Sequence, residues 1–214
     1  MKVKVYDMND TECDPNYTLQ QLGQIYDLKM AEKEHAEAKK AFYEAVDMND
    51  EQVTLLQQYL SLVVDTQSQC SAIMHDDRRR FADLNPLRKK VEDAECEFLN
   101  AVSLNKHQRK LLEKYAMTTG MAQKLYMETV LDGVNPLHIH SMRVPSFKEV
   151  IKRLKSWDEF YTTNEEIGNL LTVSASYVSK LERGKAKPTD MLLKLIFHEY
   201  GISFEFLKAT REVE

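Results

Sequence analysis

Along residues 53 to 74 the side chains Val53, Leu56, Leu60, Val63, Gln67, Cys70 and Met74 return at alternating steps of three and four. That spacing keeps one stripe on one side of a helix, so the segment predicts a long helix with a heptad seam. Leu55, Tyr59, Leu62 and Ile73 form a second stripe beside it, which predicts two neighbours and a place in a bundle's interior. The same spacing recurs through Leu87, Val91, Ala94, Phe98 and Ala101, and again, after Ser103 to Asn105, through Leu111, Tyr115, Ala122 and Leu125 to about Leu131. Upstream, Thr18 can cap a helix that passes Leu22 and Tyr26 and ends near Val46, before a break at Met48-Asn49-Asp50. Asn85-Pro86 marks another start, because proline suits a first helical turn and disfavours helix in the residue before it. Short connections make neighbouring helices antiparallel, and exposed seams associate between chains. The expectation is an arm over residues 1–17, then a helical bundle or antiparallel coiled coil over 18–131 that dimerises.

A different pattern follows a linker expected at residues 132–145. Pro145-Ser146-Phe147-Lys148-Glu149 and Thr163-Asn164-Glu165-Glu166 both have the form of a capping box, in which a hydroxyl and a carboxylate three residues apart each satisfy a free backbone N–H. Val150, Ile151 and Leu154 supply the apolar side of the first helix, and Ile167, Leu170 and Leu171 that of the second. Thr172 and Val173 then read as a turn, Ser174 as the cap of a third helix with Val178 and Leu181 inward, and Gly184 as its left-handed stop. Between the inward positions lie Ala175, Ser176, Tyr177, Ser179 and Lys180, a small, polar and basic face that suits a major groove and its base edges.

Residues 146–208 resemble the repressor-type (XRE/Cro/CI-like) helix-turn-helix family. The likeness is carried by Ile167-Gly168, Thr172-Val173-Ser174, Val178-Ser179 and Glu182-Arg183-Gly184-Lys185 through Pro188, and downstream by Met191, Leu192, Leu195, Ile196, Tyr200-Gly201-Ile202-Ser203 and Phe206-Leu207. It implies a compact five-helix domain with a short tail, residues 209–214. It also implies double-stranded DNA, with a palindromic operator, as partner of a homodimer, and a transcription regulator of phage or mobile-element type. In that setting Ala175, Ser176, Tyr177, Ser179 and Lys180 would read bases, while Thr163, Asn164, Ser174, Arg183, Lys185 and Lys187 would hold phosphates. The sequence departs from the family at Thr172, where glycine is usual, at Gly168, where alanine is usual, and at Lys155, which takes the place of the arginine that pairs with the glutamate at Glu182. The alternative reading is an antitoxin or phage inhibitor whose N-terminal helices bind a protein target and whose helix-turn-helix serves autoregulation.

Composition agrees with an all-α fold. Only 6 Gly and 5 Pro in 214 residues leave few turn formers for a many-stranded β protein. The net charge of −5 disfavours DNA binding until it is divided: residues 1–140 hold 17 basic against 23 acidic side chains, and residues 141–214 hold 12 against 11. Phosphates respond to local charge within a screening length of roughly 8 Å, and Lys180, Arg183, Lys185 and Lys187 face Glu182 alone. No apolar run approaches the ~20 residues of a membrane span, and the first residues lack a signal-peptide core, so no membrane partner and a cytoplasmic location are expected. Cys13, Cys70 and Cys96 are too scattered for a disulfide framework, and Cys70 and Cys96 read as small buried residues. The run His75-Asp76-Asp77-Arg78-Arg79-Arg80 reads as solvated and self-paired. His138 and His140 lack the further ligands that zinc needs, so no metal is expected. Neither a phosphate loop nor a nucleophile with a base is present as a motif, so neither enzymatic activity nor a cofactor is expected.

Overall fold

The computed structural model describes residues 17–75, 84–157 and 163–213, and these are helical throughout apart from their connections. Four long helices come first: α1 (Leu19–Ala45), α2 (Asp50–His75), α3 (Asn85–Ala101) and α4 (Lys106–Leu131). A 3-10 turn (Pro136–His138) leads to five shorter ones, α5 (Phe147–Trp157), α6 (Asn164–Leu170), α7 (Ala175–Glu182), α8 (Asp190–Tyr200) and α9 (Phe204–Glu212). The described residues divide into two compact units, one within residues 28–133 and a second formed by residues 17–27 together with the described part of 134–213. The charge run Asp76–Arg80 and the arm before Tyr17 lie outside the described residues.

In the first unit α2 packs on both α3 and α4. The core joins Ala38, Phe42 and Val46 of the first hairpin to Leu56, Tyr59 and Leu60, and Phe98, Val102 and Leu104 of the second to Leu112, Tyr115 and Ala116. These two sets are copies of one another. Ala38, Phe42, Ala45, Val46, Asn49, Gln52, Leu55, Leu56 and Tyr59 recur 56 residues later as Ala94, Phe98, Ala101, Val102, Asn105, Gln108, Leu111, Leu112 and Tyr115.

The repeated polar residues explain why both hairpins turn where they do. Asn49 Oδ1 accepts from the Gln52 N–H at 2.9 Å while Gln52 Oε1 accepts from the Asn49 N–H at 3.1 Å, and Asn105 and Gln108 repeat the box at 3.0 and 2.9 Å. Each glutamine then uses its remaining amide on the other hairpin: Gln52 Nε2 donates to the Ala101 carbonyl and Gln108 Nε2 to the Ala45 carbonyl, both at 2.7 Å. Two helix starts and two helix ends are thereby satisfied with four side chains. Burial pushes the phenols of Tyr59 and Tyr115 up to about 12.

The seams are covered unevenly. Leu56 and Leu60 are buried, but Met74 is 75% exposed and Ala101 is exposed, and outside the seams Cys96 is exposed and Met117 is 65% exposed. Cys96 is therefore not the small buried residue its position suggests, because α3 turns that side to solvent. Cys70 is half-buried.

The second unit takes in more than the expected residues. The first turns of α1 belong to it: Leu19, Leu22 and Ile25 are buried, and the Tyr26 ring lies tilted against that of Phe206 with the centroids 6.0 Å apart. A Cβ on Gly23 would lie 3.3 Å from the Ser203 backbone nitrogen, so glycine permits the close approach. Ser203 Oγ donates to Asp27 at 2.7 Å, and Gln20 Nε2 to the Tyr200 carbonyl at 2.7 Å. Residues 132–145 are likewise not a plain linker. Val134, Ile139 and Met142 are buried, and the Tyr17 hydroxyl accepts from the Asn135 N–H and bonds His138 Nδ1, both at 2.9 Å.

Candidate nucleic-acid interface

Local capping places every helix of the candidate site. Glu149 accepts from the Ser146 N–H at 2.7 Å at the start of α5. At α6 the Thr163 N–H donates to Glu166 at 2.8 Å and the Glu166 N–H to Thr163 Oγ1 at 3.2 Å. Ser174 Oγ accepts from the Tyr177 N–H at 3.2 Å and starts α7. α7 ends in a Schellman pattern, with the Lys185 N–H on the Lys180 carbonyl at 2.8 Å and the Gly184 N–H on the Leu181 carbonyl at 3.0 Å. Gly184 has φ 67° and nothing within 4 Å of where a Cβ would stand, so the glycine is there for its backbone alone. Ile167, Leu171, Val178, Leu181, Leu192 and Leu207 are buried, whereas Leu195 is half-buried and Met191 is 69% exposed.

The turn between α6 and α7 shows the cost of the two family departures. Thr172 sits at φ 56°, a left-handed conformation that a β-branched residue adopts only under strain. Gly168 is required by space: a Cβ there would lie 2.6 Å from the Val173 carbonyl oxygen. Thr172→Gly should therefore stabilise the domain by about 0.5–1 kcal/mol, the relieved strain less the added freedom of the unfolded chain. Gly168→Ala should cost about 1–3 kcal/mol although alanine is the better helix former. Urea denaturation of the two variants measures both signs.

Five residues expected to face base edges lie together on α7. Ser176 and Lys180 are exposed, and Ala175, Tyr177 and Ser179 are half-buried. The Tyr177 hydroxyl donates to the Lys187 carbonyl at 2.9 Å, so this side chain ties the helix to the loop that carries Lys185 and Lys187. Those two lysines are exposed, as are Thr163, Ser174 and Arg183, whose Nε donates back to the Ser179 carbonyl at 3.0 Å. Asn164 is turned inward: its side chain bonds Glu182, and its Oδ1 is buried.

Lys155 and Glu182 pair at 2.7 Å, joining α5 to the end of α7 with a single charged hydrogen bond where arginine would offer a fork. That bond from Lys155 holds the Glu182 carboxyl below the usual range. A depressed carboxylate stabilises the fold above its unfolded pKa, and the contribution is lost as pH falls through the lower folded value. Glu182→Gln should accordingly cost about 1 kcal/mol at neutral pH, with the difference from wild type closing in acid. Thermal melts across pH 2–7 test this window.

Residues 158–207 match the family model described as helix-turn-helix, and the C-terminal part of this chain is thus a repressor-type (XRE) helix-turn-helix domain. Such a domain supports a DNA-binding transcription regulator. No curated protein and no solved structure matches the chain. None of the described helices is long and apolar enough to cross a membrane, and among the described residues no group of His, Cys, Asp or Glu is placed to hold a metal ion.

Proposed function

We propose that this chain is a sequence-specific transcription regulator of phage or mobile-element type that binds a palindromic operator as a homodimer, with α7 in the major groove. The observation that supports this best is the charge around α7. Lys180, Arg183, Lys185 and Lys187 are all exposed, and the acid among them, Glu182, is already held by Lys155. Phosphates would therefore meet local positive charge in a chain whose net charge is −5. Ser176 and Lys180 read base edges, with Ala175 and Ser179 shaping the contact. Tyr177 presents its ring to the groove while its hydroxyl sets the loop. Lys185, Lys187 and Arg183 hold the backbone, helped by the Thr163 and Ser174 hydroxyls. Asn164, with its side chain engaged by Glu182, offers its backbone N–H at the α6 start.

Selection of bound DNA from a random pool at moderate salt tests the reading, and no enrichment of any sequence would sink it. On the selected site, Lys180→Ala should cost on the order of 1–3 kcal/mol and relax preference at one base position. Lys185→Ala and Lys187→Ala should weaken specific and non-specific DNA alike and lower the salt slope by about one for each phosphate no longer neutralised. A second reading, a protein-binding role for the N-terminal helices with the helix-turn-helix kept for autoregulation, is favoured by the methionines that the bundle leaves in solvent.

A further inference from the structure

The bundle unit carries a groove of about 580 Å³ whose floor is Tyr59, Val63 and Gln67 of α2. Its apolar middle is supplied by α4, where Met117 and Met121 are 65% and 48% exposed. Gly120 keeps α4 close to α2: a Cβ there would stand 3.3 Å from Gln67 Cγ and 3.4 Å from Val63 Cγ1. Exposed methionines are flexible and polarisable, the kind of apolar surface that adapts to a partner helix.

Charge is sorted along this groove. Glu95 and Glu113 line it, close enough to Tyr59 for their charges to add to burial in raising its phenol. On α4, Glu113 lies one turn before Met117, and Lys124 lies about one turn after Met121. The groove is acidic at one end, apolar in the middle and basic at the other.

We propose that a second copy of this chain covers the groove, α4 against α4 in antiparallel sense about a two-fold axis near residue 119. Met117 and Met121 stand two residues on either side of that point, so each meets the other across the axis. Glu113 and Lys124, six residues before it and five after, come near each other twice one position out of register, with the exposed Lys114 level with Lys124 beside them, and Lys110 and Glu128, nine residues before and after, pair directly beyond them. An isologous contact demands a surface complementary to itself, and reversal of this stripe sets Lys110 over Glu128 and brings Glu113 to Lys124 at both ends. Within one chain Lys124 already reaches Glu128 at 3.8 Å, with 42% and 27% of the two side chains exposed, so both remain open to a partner. The proposal rests on the dimeric part of the reading above and is independent of DNA.

Sedimentation velocity of the full chain without DNA should show a dimer at micromolar concentration. Met117→Glu with Met121→Glu should raise the dissociation constant at least about tenfold, since two charges then oppose two charges in the apolar centre. Met191→Glu, on an exposed side chain of the other unit, should leave the mass unchanged. Glu113→Lys and Lys124→Glu should each weaken the dimer, and the two together should restore it, a recovery that damage to the fold would not give. Unchanged thermal melts establish that each variant is folded. A wild-type monomer, with or without a foreign basic helix bound, would overturn the proposal. So would a dimer indifferent to the methionine variant, or a double reversal that fails to recover. Sequence preference kept at raised protein concentration by the methionine variant would separate the failure of assembly from a failure to read DNA.

Discussion

A fragment beginning at residue 134 should fail to give a stable helix-turn-helix domain. The unit it would isolate is completed by Leu19, Leu22 and Ile25, which are 1%, 0% and 0% exposed. Each such side chain contributes about 1.5–3 kcal/mol by leaving water, so the three together amount to roughly 5 kcal/mol or more. Small domains have a margin of about 5–15 kcal/mol, and one of this size lies toward the lower end. The fragment also loses the partners of Ser203, the Tyr200 carbonyl and Asn135. Circular dichroism should show a broad or absent melt, and a peptide of residues 17–27 joined by a flexible linker should restore a cooperative one. A fragment that melts within a few degrees of the full chain would contradict this. The result bears on DNA experiments too, because a truncated chain that cannot bind would report a lost fold before it reported a lost dimer.

Leu181→Ala should be the most damaging single substitution in the helix-turn-helix domain, at about 2–5 kcal/mol. Leu181 is 1% exposed on the inner side of α7, the helix against which both α5 and α6 pack. Truncation there leaves a cavity beneath the helix that presents Ser176 and Lys180. In urea the midpoint should fall with the slope unchanged, the mark of lost stability rather than altered compactness. Leu195→Ala, at a half-buried position of α8, should cost visibly less. An effect of Leu181→Ala below about 1 kcal/mol would mean the site had relaxed to fill the space.

Much of this architecture is legible in the sequence where the causes are local. The starts at Thr18, Ser146, Thr163 and Ser174 rest on side chains bonding backbone three residues away, and each forms as its spacing suggests. The inward positions of α7 follow from its period. What periodicity does not say is which surface covers an apolar stripe. Leu22 marks a buried face of α1 equally well whether it meets the bundle or the helix-turn-helix unit, and only the tertiary structure decides. The same limit hides the covered face of residues 134–142, where short apolar residues without a period read as a linker. At the site, the inward turn of Asn164 toward Glu182 and the hydroxyl of Tyr177 on the Lys187 carbonyl are contacts between segments, which one-dimensional spacing does not carry. The 56-residue duplication does stand in the sequence, but its shared positions are spread at helical intervals among residues that differ, so no contiguous motif announces it.

That duplication changes what the bundle is. Each hairpin ends its own turn with an Asn-x-x-Gln box whose spare amide is satisfied only by the other hairpin, and each supplies one phenylalanine, one valine and one tyrosine to a shared core. The relation between the halves is reciprocal, as it is between subunits across a two-fold axis. In physical terms the unit is a homodimer of hairpins joined into one polypeptide, with α3 and α4 standing where a second molecule would. Joining the halves removes the concentration dependence that such a pairing would otherwise have. It also frees the two hairpins to differ, and the stripe on α4 that carries Met117, Met121 and Lys124 has Ser61, Asp65 and Ser68 at the matching places on α2.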